Sequence, residues 1–143
     1  MIYCDTSSLV KLYIIEEHSL WVRETFREQE LVTSKVALPE MFSALSRRFD
    51  EGTLTESQLQ VLKTNILSDW ETFTVLDFEE LRAAEMVLEH HLRGFDAVHL
   101  ATALLLQERV EQPVPFSTFD SRLHHAAVAA GLQVLSPEKR PTG

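Results

Sequence analysis

Four acidic residues stand at positions where a carboxylate could do chemistry rather than only solvate the surface. Asp5 and Asp120 each separate a short apolar run from a segment that can begin a helix. Glu40 comes directly after Pro39, and Asp96 lies at the start of the most apolar segment of the chain. Each acid alone is explained by helix capping or by the helix dipole, contributions of about 0.3 to 2 kcal/mol. Gathered in one crevice, the four would instead form a site for cations.

The chemistry expected of such a cluster is metal-assisted hydrolysis. Two carboxylates about 4 Å apart repel by about 4 kcal/mol at an effective dielectric constant near 20, so a cluster needs protons or cations. Carboxylate oxygens without cysteine or paired histidine ligands favour Mg²⁺ or Mn²⁺. Two such ions would neutralise four carboxylates and attract a phosphate group. Hydrolysis of phosphodiester bonds is therefore the reaction that the acids predict.

The order of predicted strands and helices is what would bring the acids together. Short β-like runs alternate with amphipathic segments, which predicts parallel strands joined by right-handed helical crossovers. The expected fold is α/β, a three-layer α/β/α sandwich whose sheet is covered on both faces. Ligands of such sheets bind beyond the carboxyl ends of the strands, where Asp5 and Asp120 would lie. The predicted strands are 2–4, 31–33, 73–76, 116–119 and 132–135.

Two local signals concern the helix between the third and fourth strands. Asp77 and Glu80 have the spacing of a capping box, which predicts the start of this helix. Gly94 is expected to end it, because glycine is common just beyond a helix C-terminus.

The composition limits the protein to a small acidic domain. The chain has 143 residues, 45% of them hydrophobic, and one cysteine, so neither a second domain nor an internal disulfide is expected. Its 13 Lys and Arg against 22 Asp and Glu give a net charge of −9, which disfavours nonspecific binding to polyanions. We expect one domain over residues 1–135 and a loose tail over 136–143. Without a signal sequence or a membrane-length apolar segment, a soluble cytoplasmic protein is expected.

Four blocks of sequence that contain the acids resemble PIN-domain ribonucleases, in particular the VapC-type toxins of toxin–antitoxin modules. They are YCDTSSLVKLY at 3–13, VALPEMFSALSRR at 36–48, RGFDAVHLATAL at 93–104 and FSTFDSRLHHAAVAAGL at 116–132. The resemblance spans nearly the whole chain, with the blocks in the right order. It implies a five-stranded parallel α/β/α sandwich. It also implies metal-binding and catalytic roles for four acids, Asp5, Glu40, Asp96 and Asp120. The Thr118 hydroxyl would support the site.

The same resemblance implies an activity and partners. Proteins of this family are endoribonucleases that depend on Mg²⁺ or Mn²⁺, and a VapB-type antitoxin neutralises them. Homodimers are common among them, and transfer or ribosomal RNA is the substrate that the family suggests. Because this chain is acidic, we expect it to cut a structured RNA selectively rather than to attract RNA in bulk.

Several residues near the acids have weaker functional signals. Ser7 is a candidate supporting residue of the site. Lys11, Arg93 and Arg122 are candidates for binding RNA phosphates, although ordinary solvated surface explains them equally well.

The histidines give two further hypotheses. His99, one helical turn after Asp96, either hydrogen-bonds that carboxylate or packs in the core. The adjacent pairs His90–His91 and His124–His125 point about 100° apart on a helix, so neither pair is expected to bind zinc.

Three alternatives stay open at this point. A receiver-type signalling domain is also a small α/β protein with an acidic Mg²⁺ pocket, and Asp77 would be its phosphoacceptor. However, one acid rather than a pair follows the first strand, and no lysine directly follows the fifth. A haloacid-dehalogenase-like phosphatase needs a second aspartate where Ser7 stands. A catalytically silent PIN domain that only binds is the third, and the presence of all four acids disfavours it.

Overall fold

Five strands and seven helices make up residues 1–137, the part of the chain that the computed structural model describes. The strands are β1 (Ile2–Cys4), β2 (Leu31–Ser34), β3 (Thr74–Leu76), β4 (Pro115–Ser117) and β5 (Gln133–Leu135). The helices are α1 (Thr6–Val10), α2 (Ser19–Phe26), α3 (Ala37–Asp50), α4 (Glu56–Trp70), α5 (Glu80–His90), α6 (Gly94–Val110) and α7 (Ser121–Ala129). Of the predicted tail, residues 138–143 lie outside the described residues.

The strands form one parallel sheet in the order β3-β2-β1-β4-β5. The chain moves outward from β1 to β3, then crosses to β4 on the other side of β1 and continues to β5. The connections that leave β1 and β4 therefore diverge, which makes the carboxyl ends of these two strands the switch point of the sheet. In open α/β sheets, ligands bind in the crevice at this point. The predicted five-stranded parallel sheet is confirmed.

Alternating side chains of the central strand divide the core into two layers. Ile2 and Cys4 belong to the cluster that packs against α1, α2, α3 and α4. Tyr3 points the other way, into the cluster formed with α5, α6 and α7. Since helices cover both faces of the sheet, the predicted three-layer sandwich is also confirmed.

The helix α6 is apolar enough to be buried on all sides, and its first two turns carry two of the polar residues considered above. Seven consecutive residues from Ala97 to Ala103 are buried, so the helix has no polar face along this stretch. Asp96 lies in its first turn and His99 one turn later. None of the helices formed by residues 1–137 has both the length and the apolar character needed to span a bilayer.

The predicted capping box of α5 is wrong. The N-cap residue is Glu79, and it forms no side-chain capping bond. Asp77 instead accepts a hydrogen bond from the backbone N–H of Phe78 at 2.8 Å and pairs with Lys35 Nζ at 2.6 Å. Lys35, in the loop after β2, thus pairs with the carboxylate that the local pattern predicted to cap the helix.

The predicted role of Gly94 as a helix end is wrong as well. The helix α5 ends at His90, and its C-cap residue His91 adopts the left-handed conformation at φ 55°. Gly94 is the first residue of α6, with Arg93 as the N-cap. Because His91 accepts the backbone conformation that glycine usually provides, the turn comes three residues earlier than the sequence indicated.

Candidate active site

The four acids predicted from the sequence line one cleft at the switch point of the sheet. The cleft has a volume of about 910 Å³, and Asp5, Glu40, Asp96 and Asp120 are all among its lining residues. Asp5 directly follows β1 and Asp120 is the third residue after β4, while α3 and α6 supply the other two. Four segments far apart in the chain therefore converge on one opening.

Asp5 is held by four donor contacts although it is almost fully buried. It caps α1, where the backbone N–H of Ser8 donates to Oδ1 at 3.0 Å. The Ser7 hydroxyl lies 2.7 Å and 2.9 Å from the two carboxylate oxygens, and Thr118 Oγ1 donates to Oδ2 at 2.6 Å. Burial raises the pKa of Asp5, while His99 and the hydroxyl and backbone donors act in the opposite direction. These donors fix the carboxylate in one orientation.

Two hydroxyl groups connect the loop after β1 with the loop after β4. Thr118 donates to Asp5 and accepts the backbone N–H of Asp120 at 3.1 Å. Ser7 donates to Asp5 and accepts the backbone N–H of Phe119 at 2.8 Å. These bonds explain why β4 ends at Ser117 rather than at the predicted Phe119, since the next two residues turn toward the cleft.

Asp96 and Asp120 have fewer partners and share one of them. Asp120 caps α7 through the backbone N–H of Leu123 at 2.9 Å, and its Oδ2 lies 3.2 Å from Arg93 Nη2. Arg93 Nε lies 3.5 Å from Oδ2 of Asp96. Burial raises the pKa of Asp96, and the negative charges of Asp120 and Asp5 raise it as well. The positive charge of Arg93 offsets these effects only in part. The two carboxylates therefore repel each other, and an exposed arginine bridges them.

Glu40 is held by two donors that the sequence analysis did not connect with it. Thr6 Oγ1 donates to Glu40 Oε1 at 2.7 Å, and His99 Nε2 lies 2.9 Å from the same oxygen. The other ring nitrogen of His99, Nδ1, lies 2.9 Å from the Tyr3 hydroxyl. Of the two alternatives for His99, the hydrogen bond to Asp96 is not the one formed: the ring is buried in the core and lies against Glu40 and Tyr3.

Tyr3 and Thr6 were missed as site residues, and one signal could have found Tyr3. The sequence analysis assigned Thr6 no role, and the direction of its side chain depends on the phase of a five-residue helix. Tyr3 and His99 are polar-tipped side chains in the most apolar strand and helix. Buried polar groups need hydrogen-bond partners, so two such groups in facing elements are expected to pair.

The three predicted phosphate-binding residues have different surroundings. Lys11 lines the cleft but is buried, and its Nζ lies 3.0 Å from Glu16 Oε1 and 4.6 Å from the centre of the Phe119 ring. Arg93 lines the cleft with a side chain that is 74% exposed. Arg122 lines a separate depression on the surface and does not join the acids.

The opposite wall of the cleft carries two arginines of α3 that the prediction did not single out. Arg48 pairs with Glu16 at 2.6 Å, whereas Arg47 is exposed and contacts the Ser43 hydroxyl at 3.5 Å. The exposed ring of Phe95 also lines the cleft, next to Asp96. The lining of the cleft therefore includes arginines as well as the four carboxylates.

The donor set of the cleft fits a hard divalent cation. All four candidate ligands are carboxylates, which is the chemistry that Mg²⁺ and Mn²⁺ prefer. The mutual repulsion of Asp96 and Asp120 is the kind of charge imbalance that a cation relieves. Within residues 1–137, no three His, Cys, Asp or Glu side chains already lie together as a preassembled metal centre.

The phosphoacceptor of the receiver-type alternative lies away from the acidic cleft. Asp77 is 77% exposed, pairs with Lys35 and does not line the cleft. A receiver domain would need this residue among the other acids, so the geometry contradicts that alternative.

Comparison with known proteins agrees with the fold and the order of the motifs. Residues 2–129 match the PIN domain family. Over 99% of both chains, the sequence is 32% identical to Ribonuclease VapC45 of Mycobacterium tuberculosis. Among solved structures, the toxin–antitoxin complex from Klebsiella pneumoniae superposes with a TM-score of 0.64 at 17% identity, covering 98% of this chain and 100% of that one. Mycobacterium tuberculosis VapC20, described as a Sarcin-Ricin loop cleaving toxin, superposes with a TM-score of 0.65 at 19% identity, covering 92% and 96%.

The match extends over nearly the whole chain and contains all four acids of the cleft. The resemblance inferred from the four sequence blocks is confirmed. The chain belongs to the PIN-domain family and, within it, to the VapC ribonucleases.

Proposed function

We propose that the protein is a divalent-metal-dependent endoribonuclease and the toxin of a toxin–antitoxin module, with the acidic cleft as its active site. The observation that carries the proposal is the convergence of Asp5, Glu40, Asp96 and Asp120 on one cleft. RNA cleavage is the activity for which the relative VapC45 is named.

The side chains have distinct roles in this proposal. Asp5, Asp96 and Asp120 hold one or two Mg²⁺ or Mn²⁺ ions, directly or through water. Glu40 either joins these ligands or orients the attacking water in line with the scissile phosphorus. Thr118 and Ser7 keep Asp5 in place through their hydroxyl donors. When bound, the metal supplies Lewis acidity at the phosphate and offsets charge on the leaving oxygen.

RNA would bind in the cleft, whose lining carries arginines as well as the four carboxylates. Arg47 and Arg93 are the exposed cations that line it, and they are the candidates for contacting phosphates on either side of the cut. With a net charge of −9, the protein has little bulk attraction for RNA. Selection of a structured substrate, such as a transfer or ribosomal RNA, is the behaviour that this charge distribution favours.

An antitoxin and a second copy of the chain are the proposed protein partners. The solved toxin–antitoxin complex with the same fold supports an antitoxin partner, which we propose to be of the VapB type. Asp96 and Asp120 already accept a guanidinium from Arg93, so a basic side chain of an inhibitor could occupy the same carboxylates. The expected homodimer stays a prediction, which sedimentation of the isolated toxin would test.

A cleavage assay with matched variants tests the proposed function. Purified protein is incubated with total RNA in Mg²⁺, in Mn²⁺ and in excess EDTA, and cut sites are mapped in cells after induction. Asp5→Asn and Asp96→Asn are expected to abolish cleavage, by at least about 10³-fold, because several kcal/mol of metal-dependent stabilisation is lost at 1.4 kcal/mol per tenfold.

Asp77→Asn is the control, because Asp77 is an exposed aspartate outside the cleft. It is expected to cleave at the wild-type rate. Wild-type cleavage by Asp5→Asn or Asp96→Asn at saturating Mg²⁺ would contradict the proposal. Absence of cleavage with either metal on any RNA would favour a PIN domain that only binds.

A further inference from the structure

Behind the cleft, Tyr3 and His99 contact the carboxylate of Glu40 from the protein interior. The Tyr3 hydroxyl lies 2.9 Å from His99 Nδ1, and His99 Nε2 lies 2.9 Å from Glu40 Oε1. Tyr3 is fully buried and His99 is 1% exposed. The three residues come from β1, α6 and α3, so the chain of hydrogen bonds runs from the sheet through one helix to another on the opposite face.

The chemistry of the three groups sets the direction of the bonds. A carboxylate can only accept, so His99 Nε2 carries the hydrogen that it donates to Glu40. The proposed tautomer carries its ring hydrogen on Nε2, so that Nδ1 accepts from the Tyr3 hydroxyl. A tyrosine hydroxyl ionises only at about pH 10, so at neutral pH it carries the hydrogen that it donates. Both ring nitrogens of His99 are thereby satisfied.

The donors reach Glu40 on one oxygen. Thr6 Oγ1 and His99 Nε2 both contact Oε1, at 2.7 Å and 2.9 Å. Among the hydrogen bonds of residues 1–137, those to this side chain fall on Oε1, which leaves Oε2 for a ligand in the cleft. A carboxylate held on one oxygen by two donors presents the other in a fixed direction.

The packing of Tyr3 makes this arrangement rigid. Its ring stacks on Phe116 of the neighbouring strand β4, with centroids 5.5 Å apart and planes 8° from parallel. It meets the His99 ring edge-on, at 5.9 Å and 74°. Removing only the hydroxyl would keep these ring contacts, so the hydrogen bond can be tested separately from the packing.

We propose that Tyr3 and His99 are positioning residues that orient the Glu40 carboxylate for its part in RNA cleavage. The proposal rests on the proposed function, because it assigns Glu40 a task there. Groups that hydrogen-bond to a metal ligand or its water typically contribute about 10- to 100-fold to metal affinity or activity. We expect an effect of this size from a hydroxyl that does not itself line the cleft.

The first test removes the Tyr3 hydroxyl. Tyr3→Phe is expected to lower kcat for RNA cleavage, or the affinity for Mn²⁺ measured by calorimetry, by about 10- to 100-fold. Tyr13→Phe is the matched control, because Tyr13 donates to Asp69 Oδ2 at 2.9 Å and does not line the cleft. Wild-type kcat and Mn²⁺ affinity in a folded Tyr3→Phe protein would overturn the proposal.

A double variant tests whether Tyr3 acts through Glu40. In the Glu40→Gln background, Tyr3→Phe is expected to change Mn²⁺ affinity by less than about 2-fold, because coupled residues are not additive. A full additional loss in that background would mean that Tyr3 acts elsewhere, which would also overturn the proposal.

Imidazole ¹⁵N NMR reports on the hydrogen bonds without metal or RNA. The wild-type His99 ring is expected to carry its hydrogen on Nε2, and Tyr3→Phe should shift the Nδ1 resonance while Tyr13→Phe should not. A hydrogen on Nδ1 in the wild-type protein would contradict the arrangement.

A second variant covers the case in which Tyr3→Phe does not fold, as judged by urea unfolding. His99→Gln keeps a donor for Glu40, whereas His99→Leu keeps none. His99→Gln is therefore expected to retain at least about 10-fold more activity than His99→Leu, by the same contribution of outer hydrogen bonds. Equal activities of the two variants would count against a positioning role.

Asp96→Asn distinguishes failure of this proposal from failure of the proposed function. Loss of cleavage in Asp96→Asn together with wild-type behaviour of Tyr3→Phe would refute only the positioning role. Wild-type cleavage by Asp96→Asn would refute the proposed function, and the NMR measurement would still decide whether Tyr3, His99 and Glu40 are linked.

Discussion

The two halves of the acidic cleft differ in what holds their carboxylates. Asp5 and Glu40 accept hydrogen bonds from hydroxyls, a backbone N–H and an imidazole that the fold keeps in place. Asp96 and Asp120 share Arg93, whose side chain is 74% exposed. The first half is thus organised by donors from the protein interior, and the second by an exposed arginine at the surface.

This difference shows where a cation is most needed. The neutral donors around Asp5 position its charge. The pKa of Asp96, by contrast, is raised by burial and then by repulsion from Asp120, which Arg93 does not cancel. A metal site benefits from both properties, since ligands must be oriented and their charge must be left for the ion to neutralise.

Among the changes that test this difference, the largest effect is expected from removing the Thr118 hydroxyl, which joins the two halves. Thr118→Val removes the donor to Asp5 and the acceptor for the Asp120 backbone. We expect RNA cleavage to fall by about 10- to 100-fold. The free energy of unfolding should fall by about 1 to 3 kcal/mol, because buried polar groups lose their partners.

Thr64→Val is the matched control for this change. Thr64 is exposed on α4, donates to the Gln60 carbonyl at 2.9 Å and does not line the cleft. It should leave cleavage unchanged. If Thr118→Val cleaved RNA as fast as Thr64→Val, the organised half of the cleft would not depend on its hydroxyl donors.

A smaller effect is expected from the arginine of the other half. Arg93→Gln removes the positive charge that competes with a metal ion for Asp96 and Asp120. Because exposed ion pairs are worth about 0 to 1 kcal/mol, Mn²⁺ affinity without RNA should rise by no more than about 5-fold. Arg82→Gln, which breaks a pair with Glu108 elsewhere, should not change it. Weaker Mn²⁺ binding by Arg93→Gln would contradict this interpretation of Arg93.

The smallest expected effect is on the stability of the metal-free protein. A carboxyl whose pKa is raised on folding favours the folded state below its unfolded pKa, and this contribution is lost as the pH rises through the folded pKa. Asp96→Asn should therefore raise the urea midpoint above wild type at pH 7 in EDTA, with the difference shrinking toward pH 4. A difference that grows toward pH 4 would have the wrong sign.

The sequence predicted best what depends on strand ends. Asp5 and Asp120 each follow an apolar run and precede a helix, and parallel strands bring such positions to one edge of the sheet. Their meeting therefore needed only the strand order. Glu40 and Asp96, which the four resembling blocks also contain, reach the cleft only through the packing of α3 and α6.

The contacts that the sequence did not predict depend on tertiary geometry. His99 lies one turn from Asp96, yet the rotation of α6 directs its ring between Tyr3 and Glu40. Arg122 is close to Asp120 in the chain, but α7 carries it to another surface. Asp77 does not cap α5 as predicted, because its carboxylate pairs instead with Lys35, which is distant in the sequence. Local spacing determines neighbours along the chain and not across it.

A crystal structure of the protein soaked with Mn²⁺, with anomalous scattering recorded, tests the central claim most directly. We expect an anomalous peak in the cleft within coordination distance of Asp5 and of Asp96 or Asp120, and its loss in Asp5→Asn crystals. Mn²⁺ bound only outside the cleft at saturating concentration, with these carboxylates still separate, would contradict the account.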